Sequence, residues 1–493
     1  MQMRPLLHRI AAAGALCLIL SGCQQSQDDS TIVLSAIGEA AGRADPVRGP
    51  MIFPDSVVMG ATAQGLVRFD ANGQVEPGLA ERWIMIDDGT SYIFRIDDAV
   101  WPDGSPVDAR QVARALNRVI APGSRNPLAP FLRSVEEIVA MTPEVIEIRL
   151  SHPRPDLLRL LAQPEMAIFR PRTLVGTGPF RLEDATAPLR LTSAPVSDAD
   201  IDSDDDGEAA PQIRLRLRGE RASLALIRYR EHLSDLVLGG TFVDWPTARA
   251  SGVSDSDLQI DPAEGLFGLQ IRNRRGFLSD PGNRQALAMA LDRDAILDRV
   301  AGDWNPSETI LPEQLNSAAP PAQAPWGAMG RDDRIAAAKA QVARWKAQQR
   351  EAMPPLRIAL PDGPGANLLW TGIGPALNGI GLPVLRVPVS AEADLTLVDA
   401  VAPFDGASWY LRTACGACDE TIIAMLDAAV TATNAGVRAQ YLAQADAALA
   451  QDAAYIPLAR PLRWSLVRPR LGGFQRNSRA WHPLNHLRKE NGS

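Results

Sequence analysis

Hydrophobic positions divide this chain into segments of different period. Residues 10–20 form an apolar run broken by no charge, preceded by Arg4 and Arg9 and closed by Leu20-Ser21-Gly22-Cys23. The run is too short for a stable membrane span. A positive start, an apolar middle and small residues before a cysteine predict an export signal over residues 1–22. Residues 23–30 are polar and predict a tether. From residue 31 the folded body begins, with a strand predicted over 31–37.

Residues 61–100 alternate strand and turn signals, with Asn72-Gly73 and Asp88-Gly89 as turns before Tyr92-Ile93-Phe94. The spacing of Val112, Leu116 and Val119 predicts a helix over residues 107–119. Further on, residues 283–300 and 333–349 have helical period, the latter with Ile335, Ala338, Val342 and Trp345 on one face. Strands are predicted at 356–360, 395–398 and 455–458. A long helix is predicted over 420–451, with a possible break at Asn434-Ala435-Gly436. Strands alternating with helices argue for α/β architecture.

Composition narrows the function classes. The 493 residues are 46% hydrophobic and 22% charged, enough for two or three domains. The formal charge is −8, and removing Arg4 and Arg9 with the signal makes it −10. So acidic a chain is poorly suited to neutralise nucleic-acid phosphates, and no nucleic-acid partner is expected. Trp83, Tyr92 and Phe94 fit core anchors better than ligand platforms.

Four cysteines occur: Cys17 leaves with the signal, and Cys23 ends the signal's small-residue box. Cys415 and Cys418 remain as a Cys-x-x-Cys pair. In an oxidising compartment that pair is most simply a disulfide; free thiols, or a metal or redox role, are the alternatives. His482 and His486 have finger-like spacing, but they stand far from the cysteines and Pro483 interrupts them. An acidic run around residues 198–208 resembles a calcium loop, yet Ile213 occupies the position where that template needs a glutamate, so a solvated loop is expected. No metal and no cofactor are predicted. Few histidines remain after the signal, His152 and His232 are expected at the surface, and no nucleophile elbow, His-Glu-x-x-His or phosphate loop is present. An enzyme is not expected.

Seven collinear motifs carry a family resemblance. They are residues 64–70 (Gln-Gly-Leu-Val-Arg-Phe-Asp), 77–83 (Pro-Gly-Leu-Ala-Glu-Arg-Trp), Asp87-Asp88-Gly89-Thr90 before Tyr92, and 101–109 from Trp101-Pro102-Asp103-Gly104. Gly176-Thr177-Gly178-Pro179-Phe180, residues 284–293 from Arg284-Gln285-Ala286-Leu287, and Arg438, Tyr441 and Tyr455-Ile456-Pro457-Leu458 complete the set. In this order they resemble the family 5 extracellular solute-binding proteins, the peptide- and nickel-binding components of ABC importers.

The resemblance implies an α/β, two-lobed periplasmic-binding-protein fold (type II, cluster C-like) with an interlobe cleft. Lobe one would hold residues 31–262, with an extra subdomain inserted at about 48–170, and be completed by 460–493; lobe two would be 263–459. It implies a monomer that takes a peptide or other small solute, closes over it and is recognised by ABC permease subunits. In bacterial lipoproteins the cysteine of a box like that at Cys23 is lipidated, implying a periplasmic protein anchored to a membrane. Gln24 is compatible with the outer membrane, where a transporter-independent envelope lipoprotein on the same fold, a sensor, chaperone-like protein or interaction scaffold, is the alternative.

The family's acidic ammonium anchor lies near an Asp-Pro loop in the distal lobe. Here the corresponding stretch is residues 401–410, where the Asp-Pro pair is missing and Asp405, Trp409 and Tyr410 survive. Asp405 is the candidate anchor, or a turn residue beside Gly406. Asn273, where the family enters its second lobe, and Trp245, just before that crossing, complete the candidate ligand-binding set; hinge packing is the alternative for Trp245.

Overall fold

The computed structural model describes residues 31–194, 212–313 and 315–489. The export signal with Cys23 and the acidic run at 198–208 lie outside the described residues. Thr31–Ile37 is the parallel centre of a seven-stranded sheet, flanked by Arg214–Glu220 and Leu236–Thr241. Ile32, Leu34 and Ala36 are buried, and so are Thr31 and Ser35. A strand covered on both faces reads as a nearly continuous apolar run instead of an alternation. The helices Phe53–Thr62 and Ala222–Arg230 pack against it. Arg463–Val467 and Leu258–Ile260 close one edge of the sheet by antiparallel pairing.

A second sheet of five strands runs in the order Val384–Val387, Leu356–Ala359, Leu395–Val401, Gly265–Ile271, Tyr455–Ala459. Gly265–Ile271 pairs antiparallel with both neighbours, and all seven of its residues are buried. The chain leaves the first sheet after Ile260 and enters the second at Gly265; it leaves the second after Ala459 and re-enters the first at Arg463. Two short crossings therefore join two lobes.

A four-stranded antiparallel sheet, ordered Ala80–Ile86, Ser91–Ile96, Val145–Leu150, Val135–Ala140, forms an extra layer with the helix Ala109–Ile120. Asp108 and Gln111 make a reciprocal capping box at that helix's start, and Val112, Leu116 and Val119 are buried beneath it. Tyr92 and Phe94 are core residues, and Trp83 is partly buried against them. Each such fully buried ring contributes on the order of 1.5–3 kcal/mol.

Two local expectations change. The helix expected over 283–300 is two helices, Pro281–Ala290 and Arg293–Asp298, because the Asp292 side chain accepts from the Ala295 N–H and starts a new helix in mid-pattern. The break near Asn434 is present: Asn434 Oδ1 accepts from the N–H groups of Gly436 and Val437, dividing Glu420–Thr431 from Ala435–Asp452. His152, expected at the surface, is buried with Nδ1 3.0 Å from Ser151 Oγ. Burial, then the nearby charges of Arg438 and Arg154, hold its pKa below the usual histidine value. His232 is exposed. Among the described residues no helix is long and apolar enough to cross a membrane.

Candidate functional site

Between the two lobes lies a cleft of about 650 Å³, within the range of roughly 300–1,000 Å³ usual for small-molecule sites. Its walls come from every part of the fold: Gly239, Gly240 and Trp464 of the first sheet, Asp399 and Trp409 of the second lobe, Phe131 and Glu165 of the extra layer, and Arg479 and Trp481 of the C-terminal segment. A smaller cavity, about 340 Å³, is lined only by residues between 290 and 380 and lies within the second lobe. Only the larger one could sense both lobes at once.

The wall of the cleft depends on two glycines at a register shift in Leu236–Thr241. Gly239 has φ +86°, and a Cβ there would overlap the Phe53 ring; a Cβ at Gly240 would overlap the Trp464 indole. Without side chains at these positions, both aromatic rings lie flush against the strand. Trp464 is fixed by a 2.9 Å hydrogen bond from its Nε1 to Thr241 O.

The charges of the cleft are mostly paired. Arg463 Nη1 donates to Asp399 Oδ1 at 2.8 Å, joining the first lobe to the second. Burial pushes the Asp399 carboxyl pKa up, and Arg463 opposes that rise. Asp261 is buried and accepts from the Asn477 N–H at 3.0 Å, with His482 Nε2 at 3.1 Å. Arg479 is buried, donates to Ala402 O at 3.1 Å and meets Asp405 Oδ1 at 2.5 Å. Gln163 Nε2 donates to Pro403 O at 2.6 Å, tying the extra layer to the second lobe. Glu165 has neither an ionic nor a hydrogen-bonded side-chain partner among the described residues; burial pushes its pKa up, against a weaker opposing contribution from its own backbone N–H.

The residues singled out from sequence are not all brought together. Trp409 lines the cleft. Asp405 stands beside it, outside the lining, with its carboxylate held by Arg479 and by Arg159 at 3.5 Å. Tyr410 faces the core, 1% exposed, edge-on to Trp409; burial pushes its pKa up beyond the usual phenol range. Asn273 is outside the cleft and donates to Asp394 Oδ1 at 2.9 Å. Trp245 is buried in the same apolar cluster as Phe242 and Phe267. The turn after Ala407–Ala414 joins Cys415 to Cys418 as a disulfide. His482 and His486 face Asp261 and Glu76.

Sequence reasoning missed Glu165, the Asp399–Arg463 pair, Arg479, Trp464 and Trp481. Glu165 sits on a single 3-10 turn, Pro164–Met166, whose backbone is held by Asn126 Nδ2 donating to Glu165 O at 2.8 Å. Locally it is one more acid after a proline. Trp464 and Trp481 follow a chain return whose neighbours are more than two hundred residues earlier in sequence.

Two lobes, two short crossings and a cleft walled by both define the class of two-lobed solute-binding proteins. The family model described as bacterial extracellular solute-binding proteins, family 5 Middle, matches residues 74–352, and the chain belongs to this family.

The periplasmic oligopeptide-binding protein OppA of Salmonella typhimurium is 22% identical over 340 residues, covering 63% of this chain and 61% of that protein. The probable deoxycholate-binding periplasmic protein YgiS of Escherichia coli is 24% identical over 470 residues, covering 83% of this chain and 84% of its own length. The crystal structure of Haemophilus influenzae OppA in complex with RPPGFSPFR superimposes with a TM-score of 0.78 at 18% identity, over 94% of this chain and 99% of that one.

Proposed function

We propose that this protein is a lipid-anchored, monomeric extracytoplasmic receptor that captures a peptide or peptide-like solute in the interlobe cleft and delivers it to an ABC importer. The observation that carries the proposal is the cleft itself: it is walled by both lobes, lined by Phe131, Trp409, Trp464 and Trp481, and spanned by paired charges. Aromatic walls supply sequence-tolerant apolar contact, and main-chain groups can fix an extended chain between them. Residues 31–262 with 460–489 act as one moving unit and 263–459 as the other, so a solute touching both favours the closed state.

A thermal and scattering screen tests this. At a free concentration one hundred times Kd, a bound solute adds about 2.7 kcal/mol, read as a higher melting temperature. Small-angle scattering should give a smaller radius with the solute than without it. Peptides, nickel chelates, cell-wall fragments and, because one relative is described as deoxycholate-binding, bile salts belong in the screen. A screen in which nothing raises the melting temperature or shrinks the radius would defeat the receptor proposal.

Anchoring has its own test. Growth with a labelled fatty acid should mark the wild type, and Cys23→Ser should abolish the label and release the protein from the membrane fraction. An unlabelled wild type whose mature N-terminus lies elsewhere would remove the anchor while leaving the receptor intact.

A further inference from the structure

Sorting the charged side chains that line the cleft leaves a remainder. Five are acids or bases: Glu165, Asp261, Asp399, Arg463 and Arg479. Asp399 is paired with Arg463, and Asp261 faces His482 and accepts an N–H. Arg479 is paired with Asp405. That leaves Glu165 as the lining charge with no ionic partner among the described residues. Its backbone is fixed by Asn126 and by the turn begun at Pro164, so the carboxylate is presented from a braced position. An acid that is desolvated without an ionic partner destabilises the empty protein, because its own backbone N–H offsets the desolvation only weakly. A ligand cation entering the cleft would supply that partner where surrounding aromatic walls exclude water and strengthen the attraction.

We infer that Glu165 is the anchor for a cationic nitrogen of the solute, an ammonium or guanidinium group, and that the receptor prefers solutes carrying one. This rests on the receptor function proposed above and adds the charge class of its ligand. Trp409 and Trp481 supply contact to the rest of the solute whatever its charge. Asp405 does not share the role, since two arginines already hold its carboxylate.

The probe is a mixed pool of tripeptides with free amino termini, together with the same pool acetylated at the amino terminus and with lysine and arginine replaced by norleucine and citrulline. Equilibrium dialysis followed by mass spectrometry reads which members the protein retains. The wild type should retain cationic members over their neutral counterparts, and Glu165→Gln should cut that preference about tenfold or more. Glu165→Asp should restore part of it.

Trp409→Ala is expected to lower retention of both pools alike, marking a loss of cleft contact in place of charge recognition. The melting temperature of ligand-free Glu165→Gln should be unchanged or higher, because the variant removes a desolvated carboxyl that has no ionic partner; a purely structural role would lower it. Equal retention of cationic and neutral members by the wild type, or an undiminished preference in Glu165→Gln, would overturn the inference and leave the receptor function standing. Retention of neither pool, with a bile salt or other uncharged or anionic solute bound instead, would overturn it in the same way. Failure of every solute in the wider screen would remove the receptor function beneath it.

Discussion

Arg284→Leu is expected to destabilise the protein by about 3–5 kcal/mol, the cost typical of removing one partner from a buried ion pair. The Arg284 side chain is fully buried within the second lobe. Its guanidinium pairs with the Asp452 carboxylate and donates to three carbonyls: Asp452 O at 2.9 Å, Leu278 O at 2.7 Å and Ser279 O at 3.2 Å. One planar fork thus ties the helix Pro281–Ala290 to the end of Ala435–Asp452 and to the turn before it. Leucine fills part of the volume but leaves these acceptors without a donor inside the core.

Arg274 also reaches Asp452, so that carboxylate keeps one partner and the loss stays within the stated range. Arg284→Lys should fall between the two, retaining charge without the fork. Urea unfolding of the three proteins checks the order. A wild-type midpoint in Arg284→Leu would show that the network contributes nothing net.

The second large effect is expected at Asp405. Its carboxylate links the loop after Leu395–Val401 to Arg479 of the returning C-terminal segment and to Arg159 of the extra layer. Removing one member of a buried charged pair costs about 2–5 kcal/mol. Asp405 is 42% exposed, so solvent screening reduces the expected figure to about 1–3 kcal/mol.

The loss falls on the contact between lobes, so Asp405→Asn should shift the free protein toward an open form with a larger radius in solution scattering. Apparent affinity for any solute should drop in proportion to the closed fraction lost, whatever the solute's charge. An unchanged radius with weakened binding of amines alone would restore Asp405 to the direct anchoring role suggested by its neighbourhood in sequence. No change in either quantity would reduce it to a turn residue beside Gly406.

The sequence alone determined what depends on neighbours in the chain. Strand and helix periods at 31–37, 107–119, 333–349 and 455–458 mark elements that the structure contains, because each period follows from local backbone geometry and the need to bury one face. The collinear turn and helix motifs determined the family, and with it the two-lobed α/β fold.

Local pattern failed at Asp292, where a capping carboxylate looks like any polar position in a helix, and at His152, whose burial depends on a fold-wide environment. The cleft was decided by tertiary structure. Glu165 comes from one stretch of chain and Arg463, Arg479 and Trp481 from another, far later one, and nothing in their immediate sequence records which charges will be paired. Asp405 illustrates the same limit: its neighbourhood suggests a free acid near a binding loop, while Arg479, seventy-four positions later, occupies the carboxylate. Whether a charged side chain is neutralised by the protein or left for a ligand is set by long-range proximity and burial, and those exist only once the chain has folded.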